Sequence, residues 1–253
     1  MFRPVFLLLL WAVAVTAAPK RVLYVTHSAG FVHGSLPTSC AVMRDIGARS
    51  GEFEVTCTED VSLISADSLR DFDVLFFFTS GELPLSDQQK ADMLAFVRNG
   101  KGFGGAHSAT DTLYDWPEYG EMIGAYFNGH PWTQEVSIHV EDPDDPIVGS
   151  LAPSFRIADE IYQFRNFSRE NVHVLLSLDI GSVNLAAEGV ARDDGDFALA
   201  WRRNYGWGRV FYTALGHPDE TWLDPRFQTI LLNALRWLAG EFGASELPGA
   251  PPQ

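Results

Sequence analysis

Residues 21–111 alternate short apolar runs with amphipathic segments, and this alternation restricts the possible fold more than any other feature. Runs at 21–26, 53–57 and 73–78 are short and β-rich, and a helical pattern follows each of them. The run at 73–78 is apolar almost throughout, which is typical of a central parallel strand covered on both faces. Because parallel strands are joined by helical crossovers, the pattern predicts an α/β fold with a doubly wound, mostly parallel sheet.

A glycine-dense segment at 102–111 is predicted to be the fourth strand, and it ends in a polar turn. It reads GFGGAHSATD. Closely spaced glycines remove the side chains that would block a tight bend or an approaching ligand. His107 and Ser108 follow the strand directly, at the position where open α/β sheets bind their ligands. Taken alone, the segment fits a functional site and a simple helix cap equally well.

The chain beyond residue 111 is richer in strand patterns. Strands are expected at 135–140, at 155–164 with an interruption at Asp159 and Glu160, and at 172–178. A hairpin is expected around the glycine-rich turn 204–208, and an amphipathic helix over 225–242 closes the fold. We find no linker and no repeat. We therefore expect one domain over 19–243 with an added β-rich C-terminal part, followed by a disordered tail at 244–253.

The N-terminus has the pattern of a secretory signal peptide over residues 1–18. Arg3 precedes an apolar core at 5–15, and small residues precede Pro19. The core is short for a membrane span, so we expect an exported protein, periplasmic or extracellular, with no span after cleavage. Export would permit a disulfide between the two cysteines, Cys40 and Cys57, but two buried free thiols fit the sequence equally well.

The formal net charge is −15, and no run of basic residues occurs. Phosphate groups of nucleic acids and anionic lipids are bound by basic patches. A nucleic-acid partner is therefore not expected.

Histidines occur in several loops at or beside the ends of predicted strands. They are His27, His33, His107, His130 and His217. These loops meet at one edge of a doubly wound sheet, so histidines distant in sequence can converge, together with the carboxylates Asp111, Glu160 and Glu220. Imidazole serves either acid–base chemistry near neutral pH or metal ligation. No compact metal motif is present, so a divalent metal such as zinc remains an alternative, as do ordinary surface histidines.

Aromatic residues lie in or near the same loops. Phe31, Trp132, Tyr162 and Trp222 are candidates for stacking on the faces of a sugar, whereas Tyr126 and Phe127 are expected to pack in the core. A small carbohydrate is therefore the expected ligand.

Several motifs together resemble the ThuA-like (trehalose utilisation) family. They are GFVH at 30–33, GGAHSATD at 104–111, GHPW at 129–132, DEIY at 159–162, and YGWGRVFY at 205–212 leading to Gly216 and His217. The family belongs to the class I glutamine amidotransferase-like superfamily, so the resemblance implies a flavodoxin-like fold. One departure is Asp145-Pro146, where relatives often have a His-Pro pair. This chain either lacks that histidine or uses the carboxylate instead.

The resemblance implies a role in the use of trehalose or related disaccharides, including their 3-keto derivatives. The elbow that carries a cysteine nucleophile in amidotransferases reads Gly-Ala-His-Ser here, which argues against glutamine hydrolysis. It also differs from the G-x-S-x-G elbow of serine hydrolases, although Ser108 stays a candidate. The expected enzyme is of a hydrolase, lyase or isomerase type, and it could form a homo-oligomer. The alternative is a non-catalytic domain that binds a carbohydrate or a partner.

We assign site roles on the combined pattern. The expected catalytic residues are His107, His33, Ser108, Asp111 and His217, whereas the expected substrate-binding residues are Phe31, His130, Trp132, Glu160, Tyr162, Glu220 and Trp222.

Overall fold

The computed structural model describes residues 18–242, and a nine-stranded sheet runs through this part of the chain. The predicted tail, and all of the predicted signal peptide except Ala18, lie outside the described residues. The strands are β1 (Lys20–Val25), β2 (Phe53–Thr58), β3 (Val74–Phe77), β4 (Gly102–Ala106), β5 (Tyr126–Phe127), β6 (Trp132–Val140), β7 (Ser154–Ile161), β8 (Phe164–Arg165), β9 (His173–Leu178), β10 (Ala198–Tyr205) and β11 (Gly208–Thr213). The helices are α1 (Leu36–Ser50), α2 (Ala66–Leu69), α3 (Asp87–Arg98), α4 (Pro117–Ile123), α5 (Asp219–Leu223) and α6 (Pro225–Leu238).

Five neighbouring strands of the large sheet are parallel. The order across the sheet is β2-β1-β3-β4-β11-β10-β9-β6-β7, with β2, β1, β3, β4 and β11 pairing in parallel. The remaining pairs, from β11 to β7, are antiparallel. The predicted α/β fold with a largely parallel sheet and an added β-rich part is confirmed.

Helices cover both faces of the parallel part. Successive side chains on a strand point to opposite faces. On β4, a side chain added at Gly102 would meet Leu238 of α6, whereas the ring of the next residue, Phe103, packs on Tyr119 of α4 with centroids 6.0 Å apart. The absence of a side chain at Gly102 therefore lets α6 pack directly on the strand, and α4 covers the opposite face.

The antiparallel part curves back toward the parallel part. β7 lies five strands away from β4 in the sheet order, which would be about 24 Å in a flat sheet. Yet Glu160 on β7 approaches His107, which follows β4, to 3.5 Å. The curvature therefore brings the end of the outermost antiparallel strand to the carboxyl ends of the parallel strands.

Two sequence-based boundaries were wrong. β7 runs without interruption through Asp159 and Glu160, because the buried Asp159 carboxylate accepts hydrogen bonds rather than breaking the strand. The closing helix ends at Leu238 rather than at residue 242. Among the described residues, no helix is long and apolar enough to cross a membrane.

The two cysteines form a disulfide that links α1 to β2. Cys40 and Cys57 are 17 positions apart, with Cα atoms 6.1 Å apart. This result decides between the two possibilities that the sequence left open.

Reduction of this disulfide is expected to lower the free energy of unfolding by about 3 kcal/mol. The cross-link restricts the unfolded chain, and for a loop of this length its removal returns about that much conformational entropy to the unfolded state. The double variant Cys40→Ala/Cys57→Ala is the control, and urea denaturation is the measurement. The variant should match the reduced wild type and should not respond to reductant. Equal midpoints for the oxidised and reduced wild type would contradict the expectation.

Candidate functional site

Three segments that follow parallel strands, together with the end of β7, bring polar side chains close together at the carboxyl edge of the sheet. His33 lies in the loop after β1, His107 follows β4, His217 follows β11, and Glu160 lies near the end of β7. We call these four residues the histidine cluster. Ligand nitrogens of the three histidines all lie within 4.8 Å of one another. The structure thus brings together four of the residues that the sequence analysis placed on the same rim, whereas Nδ1 of His27 lies 2.9 Å from the carbonyl oxygen of Glu59.

His107 is held at the centre of the cluster by its backbone and by a carbonyl oxygen. Its φ angle is +47°, in the left-handed region that a non-glycine residue rarely adopts, so the turn after β4 is strained. Its Nδ1 lies 2.8 Å from the carbonyl oxygen of Ala214. Because a carbonyl only accepts hydrogen bonds, Nδ1 carries a proton and donates it. In the neutral ring the Nε2 lone pair is then directed into the cluster.

Three groups surround His107 Nε2. The hydroxyl of Tyr162 is 3.0 Å away and His217 Nδ1 is 3.2 Å away, whereas a Glu160 oxygen lies at 3.5 Å. Burial raises the pKa of the Tyr162 hydroxyl well above its usual value, so this group remains a hydrogen-bond donor. The Nε2 lone pair therefore has a ready donor within the protein.

Glu160 is the carboxylate that the histidines share. One oxygen contacts His107 and His217 (3.3 Å to Nδ1), and the other contacts His130 Nδ1 at 3.4 Å. Its side chain is 12% exposed. Burial acts to raise the pKa of this carboxyl, but the neighbouring His107 and His217 outweigh burial and lower the pKa. Glu160 is therefore an anion at neutral pH.

His33 and His217 have opposite pKa shifts. Burial, together with the nearby His107 and His217, lowers the pKa of His33 to about 3. The hydrogen bond to Glu160 raises the pKa of His217 above its usual value despite partial burial. His33 is therefore neutral at physiological pH, whereas His217 is readily protonated beside a carboxylate.

The donor set of the histidine cluster suits a divalent metal ion. Three imidazole nitrogens and a carboxylate are the ligands that zinc and similar ions use in proteins. The carbonyl oxygen of Ala214 accepts a hydrogen bond from Nδ1 of His107 and so fixes the ring with Nε2 available to a metal. The same arrangement also suits proton transfer, because a neutral histidine lies beside a histidine–carboxylate pair.

Asp159 positions two residues of the histidine cluster, Glu160 and His217, through hydrogen bonds to their backbone N–H groups. One of its oxygens accepts from the backbone N–H groups of Glu160 (2.8 Å) and His217 (3.1 Å). The other accepts from the N–H of Gly216 and the hydroxyl of Thr221 at 2.8 and 2.9 Å. Burial raises the pKa of this carboxyl, and these hydrogen bonds oppose that shift. Asp159 thus ties the end of β7 to the loop after β11.

Several of the remaining predicted residues lie around the histidine cluster. Phe31 is 63% exposed and its ring faces His33 and His217 at centroid distances of 4.8 and 6.5 Å. Ser108 is buried and approaches His33 Nδ1 at 3.5 Å. Asp111 accepts a 2.6 Å hydrogen bond from Tyr114, and burial raises the pKa of its carboxyl.

Other predicted residues are not brought to the cluster. Trp222 is fully buried and stacks on Phe78, and its Nε1 donates to the carbonyl of Gly216. Trp132 is buried against Phe197. Glu220 is exposed on α5. The two tryptophans pack in the core because their large apolar rings fill the space under the loops.

Asp145, for which the family resemblance raised the possibility of replacing a site histidine, lies elsewhere. Its buried carboxylate contacts Arg202 at 2.5 Å and His173 at 3.7 Å. It also accepts from the N–H of Ile147. These contacts make it part of an ion-pair group, and it does not substitute for a histidine of the cluster.

The sequence analysis missed two residues that shape the site. Asp159 was interpreted only as an interruption of a strand, although an acidic residue inside an otherwise strand-like pattern is a signal of a buried, hydrogen-bonded carboxylate. Phe127 was expected in the core and does pack against it half-buried, but its place beside the site was not anticipated. Its ring lies 4.3 Å from Tyr162 and 5.8 Å from His130. No pattern in the sequence distinguished it from Trp132.

Comparison with known proteins identifies the relatives of this fold. The family model ThuA, described as trehalose utilisation, matches residues 21–238. A ThuA-like protein from Bacteroides uniformis has 23% identity and a TM-score of 0.74, covering 91% of this chain and 96% of that one. A second, from Parabacteroides merdae, has 19% identity and a TM-score of 0.70, covering 91% and 93%.

A more distant structure, a cytoplasmic protein from Salmonella typhimurium, has 14% identity and a TM-score of 0.58, covering 85% of this chain and 98% of that one. Among curated proteins, none matches the chain. At these identities the solved structures support the fold alone.

Proposed function

Because the chain belongs to the ThuA family, we propose that it is an enzyme of carbohydrate utilisation that acts on trehalose, a related disaccharide or a 3-keto derivative. One observation carries the proposal: His33, His107 and His217 converge on one another and on Glu160 at the carboxyl edge of the sheet. Dispersed surface histidines would not share one largely buried carboxylate. The convergence favours chemistry over simple binding.

We propose that His33, His107 and His217 hold a divalent metal, with Glu160 as a fourth ligand or as the partner that orients the histidines. The low pKa of His33 supports this role, because a neutral imidazole is the form that ligates. A bound metal would polarise a carbonyl or hydroxyl oxygen of the sugar.

Proton transfer is assigned to the residues beside the metal ligands. Burial raises the pKa of the Asp111 carboxyl above its usual value, which favours its protonated form and suits a group that gives up a proton. Tyr114 donates a hydrogen bond to it and orients it. Tyr162 supplies a further hydroxyl donor next to His107.

The sugar is expected to bind between exposed rings at the opening of the site. Phe31 offers its face beside His217, and His130, with its side chain 47% exposed, stacks near Phe127. Apolar ring faces suit the C–H faces of a sugar.

Glutamine hydrolysis by a cysteine nucleophile does not fit this chain. Its two cysteines are joined in a disulfide, and the elbow position is His107. The disulfide also supports export, since such bonds persist in oxidising compartments. We therefore propose a periplasmic or extracellular location.

The test is to incubate the purified mature protein with trehalose and with 3-keto-trehalose, before and after treatment with a chelator. We expect turnover of at least one substrate, loss of turnover on chelation and recovery when zinc is added back. Saturable sugar binding without turnover would indicate the non-catalytic alternative. Turnover that persists in metal-free protein, checked by elemental analysis, would assign the chemistry to acid–base catalysis alone.

In the metal-free protein, the pH titration of the histidines should separate His217 from His33. His217 should titrate above 6.5, because its protonated form is stabilised by Glu160, whereas His33 should remain neutral down to about pH 3. The corresponding contribution of His217 to stability is present below 6.5 and is lost as the pH rises through the raised pKa. NMR of the imidazole resonances measures both values.

The variant Glu160→Gln is the control for that titration. Removal of the carboxylate should lower the pKa of His217 toward its usual value. An unchanged His217 titration in this variant would show that Glu160 is not the cause of the shift.

A further inference from the structure

A second cleft, distinct from the histidine cluster, lies between α4, the end of β8 and β10. It has a volume of about 720 Å³, which is within the range of small-ligand sites. Its lining includes Tyr114, Tyr126, Arg165, Asn166, Asn171 and Arg203. The four residues of the histidine cluster are not among its lining residues, and Tyr114, which lines it, donates a hydrogen bond from its hydroxyl to Asp111.

Arg203 extends from β10 into this cleft. One terminal nitrogen donates to the carbonyl oxygen of Glu121. Its Nε is buried and, among the described residues, has no hydrogen-bond partner. Buried polar groups in native proteins are almost always paired, so a charged group with an unpaired N–H is typical of a position completed by a ligand or water.

Arg165 lines the same cleft from the end of β8. Its guanidinium stacks over the ring of Tyr114 at 4.7 Å and over Tyr126 at 5.9 Å, which leaves its N–H edge available. Within residues 18–242, no carboxylate pairs with Arg165 or Arg203 within 4.0 Å.

The charge of this cleft opposes that of the whole chain. Two arginines and a single acidic residue, Glu121, line it, whereas the formal net charge of the protein is −15. Arginine recognises carboxylates and phosphates through paired N–H donors. Asn166, whose φ angle is +60°, and Asn171 add further polar groups to the lining.

We propose that this cleft binds the carboxylate or phosphate group of a small ligand, held between Arg165 and Arg203. The asparagines and tyrosines of the lining would contact the rest of that ligand. The inference does not depend on the function proposed for the histidine cluster.

The test is calorimetric titration of the full protein with glucuronate, glucose 6-phosphate and inorganic phosphate, with glucose as the neutral control. We expect saturable binding of at least one anion below 10 mM, weakened by added salt, and no binding of glucose at this site. Comparison of glucuronate with the two phosphates distinguishes a carboxylate ligand from a phosphate ligand. Arg165→Gln should weaken the binding at least tenfold, as should Arg203→Gln.

Two controls make the result decisive. Arg70→Gln removes a similar charge from an exposed position, where it pairs with Asp67, and should bind anions like the wild type. His107→Ala should also retain anion binding, which separates this cleft from the histidine cluster. If Arg203→Gln fails to fold, Arg165→Gln alone tests the proposal, because Arg165 is exposed and its replacement should not disturb folding. The proposal is overturned if no anion saturates, if Arg165→Gln weakens the binding of glucose as much as that of the anions, or if Arg165→Gln binds anions like the wild type.

Discussion

Replacing His107 with alanine is expected to abolish turnover, with kcat/KM falling by at least about 10²-fold. His107 is fully buried at the centre of the cluster, where its Nε2 meets Tyr162, His217 and Glu160. The change removes one of three imidazole ligands or, without a metal, the central acid–base group. Steady-state kinetics with trehalose or 3-keto-trehalose, whichever the protein turns over, together with the metal content of the purified variant, measures the effect.

His139→Ala is the matched control for this prediction. His139 is a half-exposed histidine on β6 that contacts Asp179 rather than the histidine cluster. Its replacement should leave turnover and metal content unchanged. Our assignment of the site is wrong if His107→Ala retains wild-type turnover, or if both histidine variants lose it equally.

Replacing Asp159 with alanine is expected to lower the free energy of unfolding by about 2–4 kcal/mol and to weaken metal binding about 10–100-fold. The carboxylate accepts four hydrogen bonds, and its loss leaves the N–H groups of Gly216, His217 and Glu160 without their acceptor. Relief from the cost of burying a charge offsets part of this loss. Urea denaturation and zinc titration measure the two effects.

Asp73→Ala separates a local effect on the cluster from general destabilisation. Asp73 is a half-buried carboxylate that is also hydrogen-bonded, but its partners are the N–H of Arg21 and the Lys101 ammonium. This variant should lose stability and keep the zinc affinity of the wild type. Equal losses of zinc affinity in both variants would contradict a positioning role for Asp159.

Hydrophobic patterning made the parallel half of the fold predictable. Val74–Phe77 and Gly102–Ala106 are short, continuous and fully buried strands. A short apolar run bounded by turn residues is the sequence pattern of such a strand, so both could be predicted without the rest of the fold. The antiparallel half was harder to delimit. Asp159 looked like a strand breaker because its hydrogen-bond partners come from residues near 216 and 221.

The sequence by itself determined the class of the fold and the identity of the histidines, because strand-end loops of a parallel sheet share one edge. Only the tertiary structure decided which of them meet. Glu160 reaches His107 because the sheet curves back over five strands, and no local pattern encodes that distance. For the same reason Trp132 and Trp222 could not be distinguished from ligand-binding aromatics. Their burial depends on Phe197 and Phe78, which are distant in the sequence and adjacent only in the folded chain.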